Sequence, residues 1–245
     1  MFVRRIALAS ALLAASLLLP TTNTWADGVV RLDWSTCSGL SPVDQAVLPG
    51  WSVRLTATVI GQSAGHQAYE LWFQVAPQAG APAPDAWRFD PGGCQGSDLI
   101  SFDYMIAAAI KTCPSFPGGL QAVQIKDFAF DAMTGRSRIV FANAYPPGLA
   151  APIPQVRYLL LSVGFDHWFS TTGPTVPGVS CGGLETPLCF VLTKANWLTL
   201  DGVETPWAVD RGYLTANDPQ GASACPGVTP ARPATWGGLK SQYRQ

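Results

Sequence analysis

Short runs in which apolar and polar residues alternate, separated by segments rich in glycine and proline, make up most of this chain. Residues 51–60 and 69–75 show the alternation most clearly. A period of two places one set of side chains on each face of a β-strand. We therefore predict two strands, joined as a hairpin through residues 61–67. Their inward set is Trp51, Val53, Leu55, Ala57, Val59, Tyr69, Leu71, Phe73 and Val75.

Further strands are predicted wherever a short apolar run lies between turn residues. Residues 156–165 are apolar at most positions, which is the composition of a central strand covered on both faces. Residues 131–136, with a glycine among short polar side chains, predict the turn of a second hairpin. The remaining predicted strands span residues 29–34, 99–104, 122–130, 137–142, 190–193 and 197–200.

Helical signals are confined to two short segments. Residues 105–111 have appreciable helical propensity. Near the end of the chain, Thr235 can cap a helix on which Trp236, Leu239 and Tyr243 share one side. The sequence thus predicts an all-β fold, a two-layer antiparallel sandwich with one short internal helix and a short C-terminal helix. The tail is expected to dock on the sandwich, with a recognition peptide as the alternative.

The first 26 residues are typical of a cleaved signal peptide. Arg4 and Arg5 precede an apolar run from residue 6 to 19, and small residues stand at positions 24 and 26. No later apolar segment reaches membrane length. We expect a secreted, periplasmic or cell-surface protein, with the sandwich over residues 27–224 and a proline-rich segment with the terminal helix over 225–245.

Composition excludes one class of partner. The chain has 15 Lys and Arg against 16 Asp and Glu, and two of the basic residues lie in the predicted leader. The remainder forms no basic stretch that could release counterions from a nucleic acid. We therefore expect no nucleic-acid partner.

The six cysteines predict disulfides, because an even number in an exported chain meets an oxidising compartment. Proximity in sequence favours Cys181 with Cys189 and Cys94 with Cys113, which leaves Cys37 to pair with Cys225. A metal site is not predicted, since the chain has only His66 and His167 and lacks paired close cysteines. The acidic loops are too sparse for calcium, and no glycine loop suits a nucleotide cofactor.

Two stretches resemble a group of secreted bacterial proteins. They are SCGGLETPLCFVL, residues 180–192, and the closing CPGVTPARPATWGGLKSQYR, together with an early Leu-x-Trp-x-x-Cys at residues 32–37. Members often carry an extra cysteine where this chain has Gly183, and the resemblance implies no activity. More weakly, the strand order is similar to that of cohesin-like sandwiches, whose relatives include carbohydrate-binding and scaffold modules. A jelly-roll-like sandwich is the alternative.

Catalytic motifs are weak. Residues 61–65 match Gly-x-Ser-x-Gly, but they lie between two alternating strands instead of at a strand-to-helix turn, so a hairpin loop is expected. His167, at the exit of a buried strand, is expected to be a satisfied loop residue. Glu70 faces outward on its strand, and the best enzymatic alternative is a sandwich-fold carbohydrate-active hydrolase that uses it.

A binding surface is the preferred hypothesis. The outward faces of the two alternating strands would bring together a flat aromatic ring and hydrogen-bonding side chains, which suits a glycan or a protein contact. For Trp72 itself the favoured alternative is that it covers the stem of Arg54 or lies beneath a loop, because alternation gives an outward direction without establishing exposure to water. We predict a binding or structural module in preference to an enzyme. The candidate ligand-binding residues are Arg54, Thr56, Glu70, Trp72 and Gln74.

Overall fold

The computed structural model describes residues 28–62, 67–77, 82–90, 93–95, 100–103, 113–116, 123–144, 152–177, 180–199, 201–218 and 225. The predicted leader, both predicted helices and most of residues 219–245 lie outside these ranges. The strands are β1 (Val29–Trp34), β2 (Asp44–Gln45), β3 (Ser52–Ile60), β4 (Ala68–Pro77), β5 (Ile100–Asp103), β6 (Val123–Asp131), β7 (Arg136–Ala144), β8 (Tyr158–Asp166), β9 (Leu188–Leu198), β10 (Glu204–Pro206), β11 (Ala208–Arg211) and β12 (Tyr213–Ala216).

These strands form two sheets packed face to face, which confirms the predicted all-β sandwich. The smaller sheet has the order β11-β1-β3-β8-β5. The larger has the order β2-β12-β9-β4-β7-β6, with β10 added to β9. Most neighbours are antiparallel, while β1 with β11 and β2 with β12 are parallel. Within the described ranges the only helical turn is a 3-10 turn at Asp85–Trp87.

The core lies between the sheets and is dominated by aromatic rings. Phe190 on β9 contacts three of them, with centroid distances of 5.3 Å to Trp34, 5.5 Å to Trp87 and 5.5 Å to Phe165. Edge and tilted contacts of this kind add to the free energy gained by burying apolar area. The alternating positions of β3 and β4 face this core as predicted, except that Trp51 precedes β3 and is 59% exposed.

The predicted β3–β4 hairpin is wrong. β3 pairs with β1 and β8, whereas β4 pairs with β7 and β9, so the two strands belong to opposite sheets. Alternation specifies which side of a strand is buried, but either sheet of a sandwich can supply that burial. The two strands predicted at residues 190–193 and 197–200 are parts of one strand, β9, whose pairing with β4 shifts between Trp72 and Phe73.

The second predicted hairpin is confirmed. β6 and β7 pair along their whole length, and Asp131 caps the turn by accepting hydrogen bonds from Met133 N at 2.9 Å and Thr134 Oγ1 at 2.7 Å. Gly135 has φ +66°, and a Cβ there would lie 2.5 Å from Pro82 Cα. Glycine is therefore required at this position both for its backbone conformation and for space.

All six cysteines are paired, but the pairing expected from proximity in sequence is wrong. The bonds join Cys37 to Cys113, Cys94 to Cys181 and Cys189 to Cys225. Sequence neighbours such as Cys181 and Cys189 separate because the chain between them leads from a loop into β9. Each bond instead joins two segments that are 76, 87 and 36 residues apart in the sequence, respectively.

Candidate functional site

The five predicted ligand-binding residues lie on two different faces of the molecule. Arg54 and Thr56 are on β3 in the five-stranded sheet, and Glu70, Trp72 and Gln74 are on β4 in the seven-stranded sheet. Their predicted arrangement on one sheet is therefore wrong. The structure brings together only the three residues of β4.

The outer face of the five-stranded sheet is covered by the chain itself. Thr56 is fully buried, and its Oγ1 donates a hydrogen bond to Thr36 O at 2.6 Å in the loop after β1. The same loop carries Cys37, whose bond to Cys113 packs against the fully buried Leu159 of β8. Arg54 donates to Ser162 Oγ at 3.1 Å. Thr56 thus fastens the covering loop to the sheet, and Arg54 links β3 to its neighbour β8.

A buried carboxylate lies under this cover. Asp33 is fully buried, and its Oδ1 accepts from Ser41 Oγ at 2.8 Å. The same oxygen lies 3.3 Å from Arg211 Nη1 and 3.5 Å from Arg31 Nε. Desolvation lowers the pKa of Arg211. Such a group fastens β1, its following loop and β11 to one another.

The outer face of the seven-stranded sheet is built around Trp72. We call the Trp72 face the set Glu70, Trp72 and Gln74 on β4, Arg138 and Val140 on β7, and Lys194 and Asn196 on β9. In this register Trp72 lies opposite Val140 on one side and opposite Lys194 on the other. The ring is partly buried, and the described neighbours leave its Nε1 without a hydrogen-bond partner.

Two cations bracket the Trp72 ring. Arg138 Cζ lies 5.5 Å and Lys194 Nζ 5.3 Å from its centroid, distances at which cation–π attraction operates. Trp72 therefore packs with side chains of β7 and β9, and the alternative in which it covers the stem of Arg54 is wrong. Gln74, two residues further on, accepts a 3.4 Å hydrogen bond from Arg136.

Each cation is also held by acidic side chains. Lys194 Nζ lies 2.5 Å from Glu70 Oε2 and 2.9 Å from Glu204 Oε1, and Arg138 lies 3.2 Å from Asp127. Hydrogen bonds to Glu70 and then Glu204 raise the pKa of Lys194, and the bond from Lys194 lowers that of Glu204. The Trp72 face thus carries paired charges of both signs around an aromatic centre.

Glu204 supplies a second carboxylate near Glu70, beside a cleft of about 240 Å³ that both residues line with Asn196 and Trp197. A glycosidase needs one of its two carboxyl groups protonated as a general acid, with a raised pKa. Here Lys194 stands between the two groups and stabilises the ionised form of Glu204. The geometry therefore favours an ion-pair network over acid catalysis.

Known proteins give similarity in fold only. No protein-family model and no curated protein matches this chain. Among solved structures, the second type II cohesin module of the ScaA adaptor scaffoldin of Acetivibrio cellulolyticus is 10% identical over 78% of this chain and 97% of that chain, with a TM-score of 0.40. The non-cellulosomal cohesin of Archaeoglobus fulgidus is 10% identical over 80% of this chain and 94% of that chain, with a TM-score of 0.37.

A cohesin of Clostridium thermocellum, solved in a cohesin–dockerin complex, is 11% identical over 78% of this chain and 95% of that chain, also with a TM-score of 0.37. These similarities are low, and function has to be argued from the geometry of this chain. Membership of the group marked by the Thr-Trp-Gly tail stays a prediction.

The remaining sequence motifs are structural where they are described. His167 is fully buried against Trp87, with ring centroids 4.5 Å apart, and desolvation lowers its pKa to about 4. Its Nδ1 lies 3.1 Å from both Gln95 Nε2 and Ser170 Oγ, which confirms a hydrogen-bonded loop histidine, although the described neighbours give Nε2 no partner. Of the Gly-x-Ser-x-Gly motif, residues 63–65 lie outside the described ranges, while Gln62 accepts a hydrogen bond from Trp207 Nε1.

One surface is not predicted by the hydrophobic pattern. We call it the aromatic end and define it by Leu48, Trp51, Trp168 and Phe169, which are 48%, 59%, 67% and 64% exposed. Trp51 continues the alternation of β3, which predicts burial in the core, and Trp168 and Phe169 stand in no alternating run. The sequence feature that could have identified this surface is that its aromatic residues stand in loops without charged residues.

The part of the chain that the structure describes has neither a cluster of metal-binding side chains nor a membrane-spanning helix. Its His, Cys, Asp and Glu side chains form no group of three placed to hold a metal ion. No helix within the same ranges is long and apolar enough to cross a bilayer.

Proposed function

We propose that this protein is an exported, non-catalytic binding module that recognises a protein partner through the Trp72 face. The observation that carries the proposal is a partly exposed tryptophan at the centre of a sheet face, bracketed by Arg138 and Lys194. Tryptophan and arginine dominate the binding energy of protein interfaces. Three disulfides support a site of action outside the cytoplasm.

A protein fits this face better than a glycan does. A sugar ring stacks on an unobstructed aromatic face, whereas two cations lie within 5.5 Å of the Trp72 centroid. Ion pairs of both signs around an aromatic centre instead suit a partner with complementary charges, which set orientation and exclude wrong partners.

Site-specific photocrosslinking in the producing organism tests the proposal. A photoreactive residue at position 74 should capture one protein, while the same residue at exposed position 52, on the opposite sheet, should not. With the captured protein purified, Trp72→Ala should weaken binding by ~30-fold, the loss expected of an interface hot spot. Trp51→Ala, which removes a more exposed tryptophan elsewhere, should leave the affinity unchanged.

Three results would overturn the proposal. Binding of the wild-type protein on a glycan array, lost in Trp72→Ala, would make it a carbohydrate-binding module. Turnover of a glycoside that disappears in Glu70→Gln would make it a sandwich-fold hydrolase. Equal capture at positions 74 and 52 would show that the Trp72 face is not the site.

A further inference from the structure

The aromatic end is formed by two loops at one end of the five-stranded sheet. The loop before β3 and the loop after β8 are joined by backbone hydrogen bonds, Gly50 N to His167 O at 2.9 Å and His167 N to Trp51 O at 3.2 Å. Single exposed apolar residues are common, but four large ones from two adjoining loops mark a surface that contacts something apolar.

These loops carry no charge. Residues 46–51 and 167–177 contain no Asp, Glu, Lys or Arg, and His167 is buried and neutral at physiological pH. A protein partner would tolerate charged residues at the rim of such a patch. Hydrocarbon would not, because transfer of an unpaired charge out of water is very costly. The absence of charge across both loops therefore matches an uncharged lipid surface.

The loop after β8 also satisfies much of its own backbone. Thr171 N donates to Cys181 O at 2.7 Å, Cys181 N to Phe169 O at 3.0 Å and Leu184 N to Thr171 O at 3.1 Å. Paired backbone groups are what a medium without water requires. The bond between Cys94 and Cys181 ties this loop to the segment after the 3-10 turn. The aromatic side chains are thus presented on a fastened loop.

We propose that the aromatic end docks on a lipid bilayer, with Trp51, Trp168, Phe169 and Leu48 inserted into the interface of zwitterionic phospholipid. Tryptophan is enriched at membrane–water interfaces, and interfacial segments enter the headgroup and acyl boundary by only ~5–10 Å. This surface is separate from the Trp72 face, so the inference does not rest on the proposed partner.

Flotation of residues 27–245 with phosphatidylcholine vesicles tests the inference. The wild-type protein should float with the vesicles, and Trp51→Ala combined with Trp168→Ala should lower its partition coefficient by ~30-fold or more, as expected for loss of two large apolar contacts. Met133→Ala is the matched control, since Met133 is 97% exposed in the β6–β7 turn, away from both loops. Both replaced tryptophans are exposed, and circular dichroism should show an unchanged fold.

Two further readouts distinguish insertion into lipid from adsorption driven by charge. Brominated lipid should quench the fluorescence of the wild-type protein but not that of the double variant. Raising NaCl to about 0.5 M should leave binding unchanged, because screening affects only charge-driven association. The inference is overturned if the wild-type protein fails to float, if the double variant floats equally well, or if salt abolishes binding. It is equally overturned if the protein sediments as a dimer that only the double variant disrupts, because a second copy would then cover the aromatic end.

Discussion

The two outer faces of this sandwich differ in how far their outward side chains are exposed to solvent. On the five-stranded sheet, the loop after β1 and the Cys37–Cys113 bond cover polar residues, so Asp33, Thr56 and Thr58 have no exposed surface. On the seven-stranded sheet, Trp72 remains partly exposed among paired charges. Outward-pointing polar residues on a strand therefore do not by themselves mark a surface that meets solvent. Whether such residues are free to bind a ligand or instead hold a covering loop depends on segments of the chain that are distant in sequence.

The largest effect on this contrast should come from removing the staple of the covered face. Replacing Cys37 and Cys113 by serine opens a link across 76 residues, which should lower the free energy of unfolding by about 4 kcal/mol. Denaturant unfolding measures the loss. Hydrogen exchange should rise at Thr56 and Thr58 while the amides of β4 stay protected. Equal deprotection of both strands would show that the staple supports the whole sandwich and not one face.

A smaller effect should follow from neutralising a carboxylate on each face. Asp33→Asn leaves Arg31 and Arg211 without their buried counter-charge and should cost about 3 kcal/mol of folding free energy. Glu204→Gln, on the open face, should leave the unfolding midpoint almost unchanged, because exposed ion pairs contribute little. Similar losses in the two variants would contradict the distinction between a covered and an open face.

The smallest of the three effects depends on pH. The pKa of His167 is lowered to about 4 in the folded protein and returns to about 6.5 on unfolding. Between these two pH values the imidazole is therefore protonated in the unfolded chain but neutral in the folded one. Stability should fall as the pH drops from 6.5 to 4, by about 2 to 3 kcal/mol in total. A proton on Nδ1 would also point at the Gln95 Nε2 donor, and this contact between two donors disfavours the charged imidazole in the folded protein.

His167→Asn provides the comparison that isolates this contribution, because carboxylates elsewhere titrate equally in both proteins. The variant should lose less stability than the wild type over the same pH range. NMR titration assigns the value directly, with His66→Gln identifying the other imidazole signal. A His167 signal that titrates near 6.5 in the folded protein would refute the prediction.

Much of the fold follows from local pattern, while the placement of the candidate site does not. Alternation locates β3 and β4 and their inward residues, and the mostly apolar run at residues 156–165 identifies β8 as an interior strand of its sheet. Alternation does not determine to which sheet each strand belongs. The predicted site therefore combines Arg54 and Thr56 with Trp72, although they lie on opposite sheets. Burial of Thr56 depends on a loop fastened through Cys113, a contact across 76 residues that no local signal encodes.

The disulfide between Cys189 and Cys225 has a consequence for binding at the open face. Cys189 lies on β9 opposite Ala76, two residues beyond Gln74 on the same side of the sheet, so residue 225 is fixed beside the Trp72 face. A partner that occupies the Trp72 face must therefore fit around this bond, which bounds its footprint on that side with covalently fixed chain.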